Sequence, residues 1–348
     1  MRPLIAITMG DPAGIGSELC VKVLSDEKVY KRCRPLVVGD ANCIKDALKF
    51  THLDNLVTNI VDNAKDGKYT FGNIDVLDLD NVDLKELEYG KVSAMCGKAA
   101  GEYIKKVIDL AMGHEVDATV TNPIHKESFK LGGWGKKYPG HTEMYADLTN
   151  TKSYSMMLAL GDFRVVHVTT HVSLRNACDL IKKERVLNVI KIAYSACKDL
   201  GIENPKIGVA ALNPHAGDGG IFGNEEEEEI LPAIDEAKRL GYLVEGPVPA
   251  DTIFSKAKGG WYDIAVAMYH DQGHIPMKLS GFVWDENTKK WSSVAGVNIT
   301  LGLPIIRVSV DHGTAFGKAG KGTANIESLY EAVMLASDIS DARYLRGQ

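Results

Sequence analysis

Residues 1–16, MRPLIAITMGDPAGIG, place a short apolar run directly before a glycine-rich turn. The apolar run at residues 4–8 predicts a strand that is buried on both faces, as in a parallel sheet. The turn predicts a connection into a helix, of the kind that can face a phosphate group. It lacks the GxGxxG pattern, so a plain strand-to-helix connection explains it almost as well. This stretch therefore favours an α/β fold and leaves its ligand open.

The rest of the chain repeats this alternation of apolar runs and amphipathic stretches. Strands are predicted at residues 4–8, 36–38, 74–79, 118–121, 165–169, 206–210, 264–267 and 305–310. Helices are predicted after a cap at Ser93, over residues 182–200, and from about Asn224 to Gly241. Alternation of this kind is typical of doubly wound α/β/α architecture, and 348 residues suit two such domains or one elaborate one.

Composition excludes several classes of protein. Hydrophobic residues make up 45% and charged residues 25%, which is ordinary for a soluble globular protein. A net charge of −6 argues against nucleic-acid binding. No apolar run is long enough to span a membrane, and the first residues lack a signal-peptide pattern. The six scattered cysteines predict reduced thiols in a cytoplasmic protein.

Two polar segments stand apart from the predicted core. The five carboxylates at residues 225–229 begin a predicted helix, where the helix dipole favours negative charge, and they are interpreted as a solvated face. Residues 284–293, WDENTKKWSS, are interpreted as a surface excursion, with a hairpin as one possible form.

Three histidines share one context. His171, His215 and His270 each lie just beyond the predicted C-terminal end of a strand. In open α/β sheets those ends converge on the ligand crevice, and imidazole is a common ligand of divalent transition metals. The sequence contains no local metal motif such as HExxH, so three unrelated loop histidines remain the alternative at this point.

Further polar residues lie close to these histidines in sequence. Asp251 and Asp271 could each ligate a metal, orient an imidazole or accept a proton, and Asp251 could equally cap a helix. His167 and His274 are interpreted as neighbouring packing or supporting groups.

Anion-binding side chains are also present. Arg307 lies inside a predicted strand, where it needs an anionic partner, either a structural carboxylate or a substrate phosphate or carboxylate. His141 and Thr142 lie at a predicted helix N-terminus, where Thr142 could instead be a cap. Lys278 and Asn298 are further candidates for contacting a substrate. A second glycine-rich segment, DHGTAFGKAGKGTAN at residues 311–325, predicts a close backbone approach to a ligand.

Several of these segments together resemble the 4-hydroxythreonine-4-phosphate dehydrogenase family of vitamin B6 biosynthesis. The segments are ITMGDPAGIG (7–16), YPGHTE (138–143), TTHVSLR (169–175), NPHAGDGGIFGNEE (213–226), PADTIF (249–254), AMYHDQGHIPMKL (267–279) and GVNITLGLPIIRVSVDHGTAF (296–316). They occur in family order and cover nearly the whole chain.

This resemblance implies an NAD-dependent homodimer that requires one divalent metal ion (Zn, Mg, Mn or Co) and whose active site is shared by both subunits. It implies metal ligation by His171, His215 and His270, with Asp251 and Asp271 as nearby carboxylates that could be catalytic. The implied substrate contacts are His141, Thr142, Lys278, Asn298 and Arg307. The second glycine-rich segment is similar to the loop that holds the adenosine part of NAD in isocitrate and isopropylmalate dehydrogenases. The implied cofactor contacts there are His312, Gly313, Thr314, Ala315 and Asn325.

The implied fold is that of the isocitrate and isopropylmalate dehydrogenases, with two α/β/α domains and a cleft between them. We expect residues 1–125 and 300–348 to form the cofactor side, and residues 126–299 to form the metal and dimer-interface side.

GHIPMKL and GHTEM look more like the branch that acts on 4-phospho-D-threonate or 4-phospho-D-erythronate. The 284–293 excursion departs from the shorter loop of the vitamin B6 enzymes. The implied reaction is oxidation at C3 and loss of CO₂, giving dihydroxyacetone phosphate. The alternative is 4-hydroxythreonine-4-phosphate dehydrogenation in pyridoxal phosphate biosynthesis. Two other classes remain open at this point: a metal-dependent hydrolase or aldolase, and a non-catalytic binding protein.

Overall fold

The structure is a computed structural model that describes residues 2–286, 289–294 and 296–347. The chain divides into two compact units, Met1–Lys152 with Leu303–Gln348, and Ser153–Gly302. Within the described ranges, no helix is both long and apolar enough to cross a membrane.

The helices and strands alternate along most of the chain. As far as residue 152 they are β1 (Leu4–Thr8), α1 (Gly16–Val23), α2 (Glu27–Arg32), β2 (Arg34–Gly39), α3 (Ala41–Phe50), β3 (Val57–Val61), β4 (Asn73–Asp78), α4 (Ala94–Met112), β5 (Ala118–Thr121), α5 (Lys126–Leu131) and α6 (His141–Leu148). From residue 153 to residue 302 they are β6 (Ser155–Leu160), β7 (Phe163–His167), α7 (Leu174–Leu180), α8 (Lys183–Asp199), β8 (Lys206–Ala210), α9 (Leu231–Arg239), β9 (Leu243–Val248), α10 (Ala250–Lys258), β10 (Ile264–Ala267), α11 (His270–Gly281), β11 (Phe282–Asp285), β12 (Lys290–Val294) and β13 (Val297–Leu301). The remaining elements are β14 (Arg307–Val310) and α12 (Glu327–Leu345).

The first unit contains a parallel sheet in the order β3-β4-β2-β1-β5-β14. Every residue of β1 is buried, which requires cover on both faces of the sheet. Helices α4 and α12 pack against its central strands. The α/β fold class predicted from the sequence is confirmed.

The second unit contains a mixed sheet in the order β13-β6-β7-β10-β8-β9. Strands β7, β10, β8 and β9 run parallel, whereas β6 is antiparallel to both of its neighbours. β6 and β7 form a hairpin that turns at Gly161, where φ is +55°. The buried core beneath this sheet includes Phe163, Val165, Ile253 and Met277.

Most of the predicted elements are present with small changes of boundary. The helix after Ser93 spans Ala94–Met112, and the Ser93 hydroxyl accepts the Cys96 N–H at 3.3 Å. The sequence analysis did not anticipate β3, β6, β9 or β13. β6 was missed although Gly161 and Asp162 separate two apolar runs, which is a two-residue hairpin signal.

The division between the units differs from the one expected from the sequence. Residues 126–152 belong to the first unit, where α5 packs closely on α4. At the contact, a Cβ on Gly97 would lie 1.7 Å from the Ser128 carbonyl oxygen, so only glycine allows this approach. The buried Tyr145 of α6 also donates to the Thr119 hydroxyl of β5 at 3.0 Å.

The excursion at residues 284–293 contains an antiparallel hairpin formed by β11 and β12, with a register shift between Val283 and Trp284. Residues 287 and 288 of this excursion lie outside the described residues. The hairpin form considered from the sequence is therefore present.

Candidate functional site

The three histidines singled out in the sequence follow three neighbouring strands of the second unit. His171 follows β7, His270 follows β10 and His215 follows β8. These strands are parallel and adjacent, with β10 in the middle. Their C-terminal ends therefore lie at one edge of the sheet, where ligands bind in open α/β sheets.

His171 and His270 lie close to each other at this edge. Their ring centroids are 5.8 Å apart, and both line a cavity of about 240 Å³ together with Asp271. The His270 Nδ1–H donates to Asp271 Oδ1 at 2.6 Å. A carboxylate on Nδ1 orients the ring and leaves Nε2 as the nitrogen that can bind a metal.

Two further histidines pack behind His270. The His274 ring stacks on the His270 ring, with the ring centroids 3.6 Å apart. The Nδ1–H of His274 donates to the His270 carbonyl at 2.9 Å. The His167 ring centroid lies 4.8 Å from that of His274. His167 is fully buried, and desolvation lowers the pKa of its imidazole to about 3. A Cβ on Gly273 would lie 2.4 Å from His167 Nε2, so glycine is needed where α11 crosses β7. Both histidines thus pack beside His270, and their role as supporting groups stays a prediction.

His215 lies in a loop with an unusual backbone. His215, Ala216 and Asp218 all have positive φ, at 54°, 58° and 45°. Non-glycine residues in this region cost free energy and persist only where the surroundings hold them. Here the Glu226 carboxylate accepts the N–H groups of Leu212 and Asn213 at 2.8 and 2.7 Å.

The acidic run at residues 225–229 is therefore only partly a solvated face, and the interpretation from the sequence is corrected. Glu227 and Glu228 are exposed, but Glu226 is only 3% exposed and anchors the loop of His215. Glu225 accepts from the Asn213 side chain, and Glu229 pairs with Lys182. The run forms a π-helical turn followed by α9. In an unbroken acidic run, no local pattern distinguishes the residue that packs inward.

Gln272 connects two of the histidine-bearing segments and was not recognised in the sequence. Its Oε1 accepts the Met268 N–H after β10 at 2.7 Å, and its Nε2 donates to the Ala211 carbonyl after β8 at 2.8 Å. Because Gln272 is buried, these bonds tie the ends of β8 and β10 together.

Asp251 lies in the first turn of α10 and is exposed. The N-cap position of this helix is Pro249, and no side chain caps the helix. The capping role considered for Asp251 is not observed.

The donors at the histidine edge suit a divalent metal only in part. Imidazole nitrogens suit zinc, whereas carboxylate oxygens suit magnesium and manganese, and His171, His270 and Asp271 supply both kinds of donor. Within the ranges that the structure describes, no group of three or more His, Cys, Asp or Glu side chains is placed to hold a metal ion. Ligation by His171, His215 and His270 together stays a prediction.

The first unit holds a separate polar cluster around Arg307. This guanidinium is 4% exposed and donates to the hydroxyls of Thr121 and Thr142 at 3.1 and 3.4 Å. Its carbon lies 5.4 Å from the Tyr145 ring centroid, and burial lowers its pKa to about 10. His141 begins α6 beside it. Since Gly140 is the N-cap residue and Thr142 contacts Arg307, the capping role considered for Thr142 is not observed.

Burial keeps His141 neutral. Desolvation, and secondly the charge of Arg307, lower the pKa of its imidazole well below the usual value. Its buried Nε2 has no hydrogen-bond partner among the described residues. A buried polar atom of this kind is suited to meeting a ligand.

Lys278 and Asn298 belong to the second unit. Lys278 lies in the last turn of α11, with its Nζ 4.7 Å from the Phe282 ring centroid. The half-buried Asn298 lies on β13 and donates to the Met156 sulfur at 2.8 Å.

The two glycine-rich segments meet within the first unit. The Ile15 N–H donates to the Thr314 carbonyl at 3.2 Å, and a Cβ on Gly14 would lie 3.2 Å from Thr314 Cβ. Ala315 has a φ of +43°, and the exposed Gly313 precedes the buried Thr314. The residues named for the cofactor follow β14 directly, apart from Asn325, which lies just before α12. Its Oδ1 accepts the Glu327 N–H at 2.7 Å.

Replacing Glu226 should weaken the loop that carries His215. In Glu226→Gln the remaining oxygen can still accept both backbone N–H groups, but the amide nitrogen then meets the Asn213 side-chain NH₂ group, which the second carboxylate oxygen now accepts at 2.9 Å. We expect the free energy of unfolding, measured in urea, to fall by about 1–3 kcal/mol. Glu227→Gln, an exposed neighbour, is the matched control and should change it by less than about 0.5 kcal/mol. Equal stability of the two variants would show that Glu226 does not anchor the loop.

Comparison with known proteins extends these observations. A family profile described as pyridoxal phosphate biosynthetic protein PdxA matches residues 31–336. A relative from Clostridium botulinum, named "Putative D-threonate 4-phosphate dehydrogenase", is 47% identical over 339 residues, covering 97% of each chain. One of the same name from Fusobacterium nucleatum is 48% identical over 337 residues, covering 97% of each chain. The crystal structure of a 4-hydroxythreonine-4-phosphate dehydrogenase from Burkholderia phymatum is 43% identical, has a TM-score of 0.84, and is matched over 97% of this chain and 98% of its own.

These matches span nearly the full length of both partners, and their names agree with the family resemblance seen in the sequence. They also decide against the hydrolase, aldolase and non-catalytic alternatives, since the relatives are named as dehydrogenases. The chain belongs to the PdxA family and is a dehydrogenase.

Proposed function

We propose that this dehydrogenase oxidises a 4-phosphorylated four-carbon 3-hydroxy acid, 4-phospho-D-threonate or 4-phospho-D-erythronate, with NAD and a divalent metal. Oxidation at C3 followed by loss of CO₂ gives dihydroxyacetone phosphate. The observation that carries the proposal is the sheet edge where β7, β10 and β8 end, because a histidine follows each of these three strands at a position where ligands bind in open α/β sheets. The names of the relatives support a phosphorylated four-carbon acid as the substrate.

His171, His215 and His270 would hold the metal ion. A divalent cation, when bound, lowers the pKa of a hydroxyl group that it contacts and stabilises developing negative charge on oxygen. Asp271 would keep the His270 ring oriented through its bond to Nδ1. Asp251 and Asp271 are the candidates for accepting the proton of the C3 hydroxyl, since both are exposed at the starts of α10 and α11.

Arg307 would bind an anionic group of the substrate, its phosphate or its carboxylate. Burial destabilises the charged guanidinium, and an incoming anion would offset that cost. His141 and Thr142 lie beside it at the start of α6, where backbone N–H groups and the helix dipole favour anions. Lys278 and Asn298 would supply the remaining substrate contacts.

NAD would bind in the first unit, at the glycine-rich segments that meet near Thr314. His312, Gly313, Thr314, Ala315 and Asn325 would form its contacts. Bound NAD would supply the acceptor for the hydride that leaves C3.

A homodimer would complete the active site, with ligands contributed by both subunits. The surface of α11 and β11 supports this, because it exposes large apolar side chains. Ile275 is 64% exposed, Leu279 82%, Val283 51% and Trp284 43%. Apolar side chains grouped in this way mark an interaction surface. The surface continues directly from His270, since α11 begins there. A small phosphorylated substrate, no nucleic-acid or membrane partner, and a cytoplasmic location complete the proposal.

A panel of substrates tests the proposed reaction. We expect the purified protein with NAD⁺ and a divalent metal to form NADH and dihydroxyacetone phosphate from 4-phospho-D-threonate or 4-phospho-D-erythronate. The second candidate is 4-phosphohydroxy-L-threonine, because the similar crystal structure carries that activity in its name. Turnover of this compound alone would replace the proposal by the second candidate, and no NADH from any of the three would remove both.

Removing His215 tests the metal site. His215→Ala should reduce bound metal, measured by elemental analysis, and reduce kcat severely while the fold is kept. His114→Ala is a matched control, because His114 is also exposed and has a φ of 56°, close to the 54° of His215. Both variants place alanine at a positive φ, so any loss of stability caused by that backbone conformation should be similar in the two variants. Full metal content in the His215 variant would remove this residue from the ligand set.

Removing Arg307 tests the anion site. Arg307→Ala should raise the KM for the phosphorylated acid. The rise corresponds to a loss of about 2–5 kcal/mol of binding free energy if the anion is desolvated. Arg307→Lys should recover only part of this, since lysine cannot make a forked contact. Arg239→Ala, whose side chain is 69% exposed, is the control and should leave KM unchanged. An unaltered KM and kcat in Arg307→Ala would exclude Arg307 from the site.

A charge on the apolar surface tests the dimer. Leu279→Asp should convert the protein from dimer to monomer in sedimentation analysis and abolish turnover, because each site then lacks the other subunit. Leu345→Asp changes a residue of similar exposure, 84%, on α12 and should stay dimeric and active. A dimeric, active Leu279→Asp variant would contradict this interface.

A further inference from the structure

A buried carboxylate in the first unit contacts the second glycine-rich segment. Glu18 lies in the first turn of α1, immediately after the first glycine-rich turn, and its side chain has no exposed surface. Its two oxygens accept the backbone N–H groups of Ala324 at 2.6 Å and of Gly322 at 3.2 Å. The carboxylate therefore fixes Gly322 and Ala324 in the loop that precedes α12.

Lys22 lies one turn further along α1 and contacts the carbonyl groups of the same two loop residues. Its Nζ donates to the carbonyls of Ala324 at 2.6 Å and of Gly322 at 3.2 Å. It also lies 3.5 Å from Glu18 Oε1. One helical Glu–Lys pair thus engages both the N–H and the C=O groups of Gly322 and Ala324.

This double attachment decides which loop residues face solvent. Ala324 is buried and Gly322 is half-buried, whereas Lys321, Thr323 and Asn325 between and beside them are exposed. The loop thus alternates held and exposed residues over positions 321–325. The exposed set includes Asn325, one of the residues proposed to contact NAD.

The loop backbone needs this support. Gly320 and Gly322 have φ values of +72° and +68°, in the left-handed region. At Gly322 a Cβ would lie 2.9 Å from the Phe50 carbonyl oxygen, so the loop approaches the end of α3 closely. Glycine-rich backbone is conformationally permissive, and without external bonds it samples many states.

We propose that Glu18 and Lys22 are positioning residues that hold the loop at residues 320–325 in its cofactor-binding conformation before NAD arrives. The inference rests on the proposed NAD site of the first unit. A loop that is already ordered loses less conformational entropy when NAD binds. Glu18 and Lys22 would therefore strengthen NAD binding without contacting NAD. Neither residue contacts the histidine edge, which belongs to the other unit.

Two variants test this, Glu18→Gln and Lys22→Met. The first readout is hydrogen exchange of the Gly322 and Ala324 amides in the protein without NAD, where we expect exchange to be roughly tenfold faster in Glu18→Gln. The second is the Kd for NAD⁺ from calorimetry without substrate, which should rise roughly tenfold in both variants. With saturating NAD⁺, kcat and the KM for the phosphorylated acid should stay close to those of the unaltered protein.

The matched control is the pair Glu27 and Lys31 on α2, which has the same i, i+4 spacing but is exposed, at 57% and 68%. Glu27→Gln and Lys31→Met should alter neither amide exchange nor the Kd. Lys22→Met keeps the test usable if Glu18→Gln does not fold, because the Lys22 side chain is 25% exposed.

The possible outcomes separate the two proposals. An unchanged NAD⁺ Kd in a folded Glu18→Gln or Lys22→Met variant overturns the positioning role. So does unchanged exchange at Gly322 and Ala324 in Glu18→Gln. An unaltered protein that binds no NAD⁺ overturns the proposed function itself, whatever the exchange data show.

Discussion

The adjacency of three parallel strands, β7, β10 and β8, is the constraint on which the candidate site depends. Each strand delivers one histidine to the same edge of the sheet, although the three residues are far apart in the chain. The sheet is built from fully buried apolar residues, for example Val165 on β7 and Val266 on β10. A rigid scaffold of this kind fixes where the loops begin, so the imidazoles need only short connections to meet a ligand.

Buried carboxylates then fix the shape of those connections. Glu226 holds the loop of His215 in the second unit, and Glu18 holds the glycine-rich loop before α12 in the first. In both cases the acceptors satisfy backbone N–H groups beside residues with positive φ. A charged acceptor makes a stronger hydrogen bond than a neutral one, which suits it to a backbone that would otherwise relax. Both glutamates are buried, and the backbone hydrogen bonds that they accept support the two loops.

The two units carry different chemistry in this arrangement. The second unit supplies imidazoles and exposed carboxylates, whereas the first supplies the buried Arg307 and the two glycine-rich segments. The Arg307 guanidinium and the neutral His141 imidazole are both buried, and electrostatic interactions are stronger in such surroundings than in water.

Local periodicity and neighbours in the chain are enough to predict the buried strands such as Leu4–Thr8, the helix capped by Ser93, and the histidines at strand ends. Long-range packing sets the hairpin partner of β7, the attachment of residues 126–152 to the first unit, and the burial of Glu226 among exposed acidic neighbours. It alone also joined Glu18 to a loop some 300 residues away. A carboxylate on a helix has the same local pattern whether it faces water or a backbone N–H group. The difference is set by residues distant in sequence, whose position depends on how the whole chain packs.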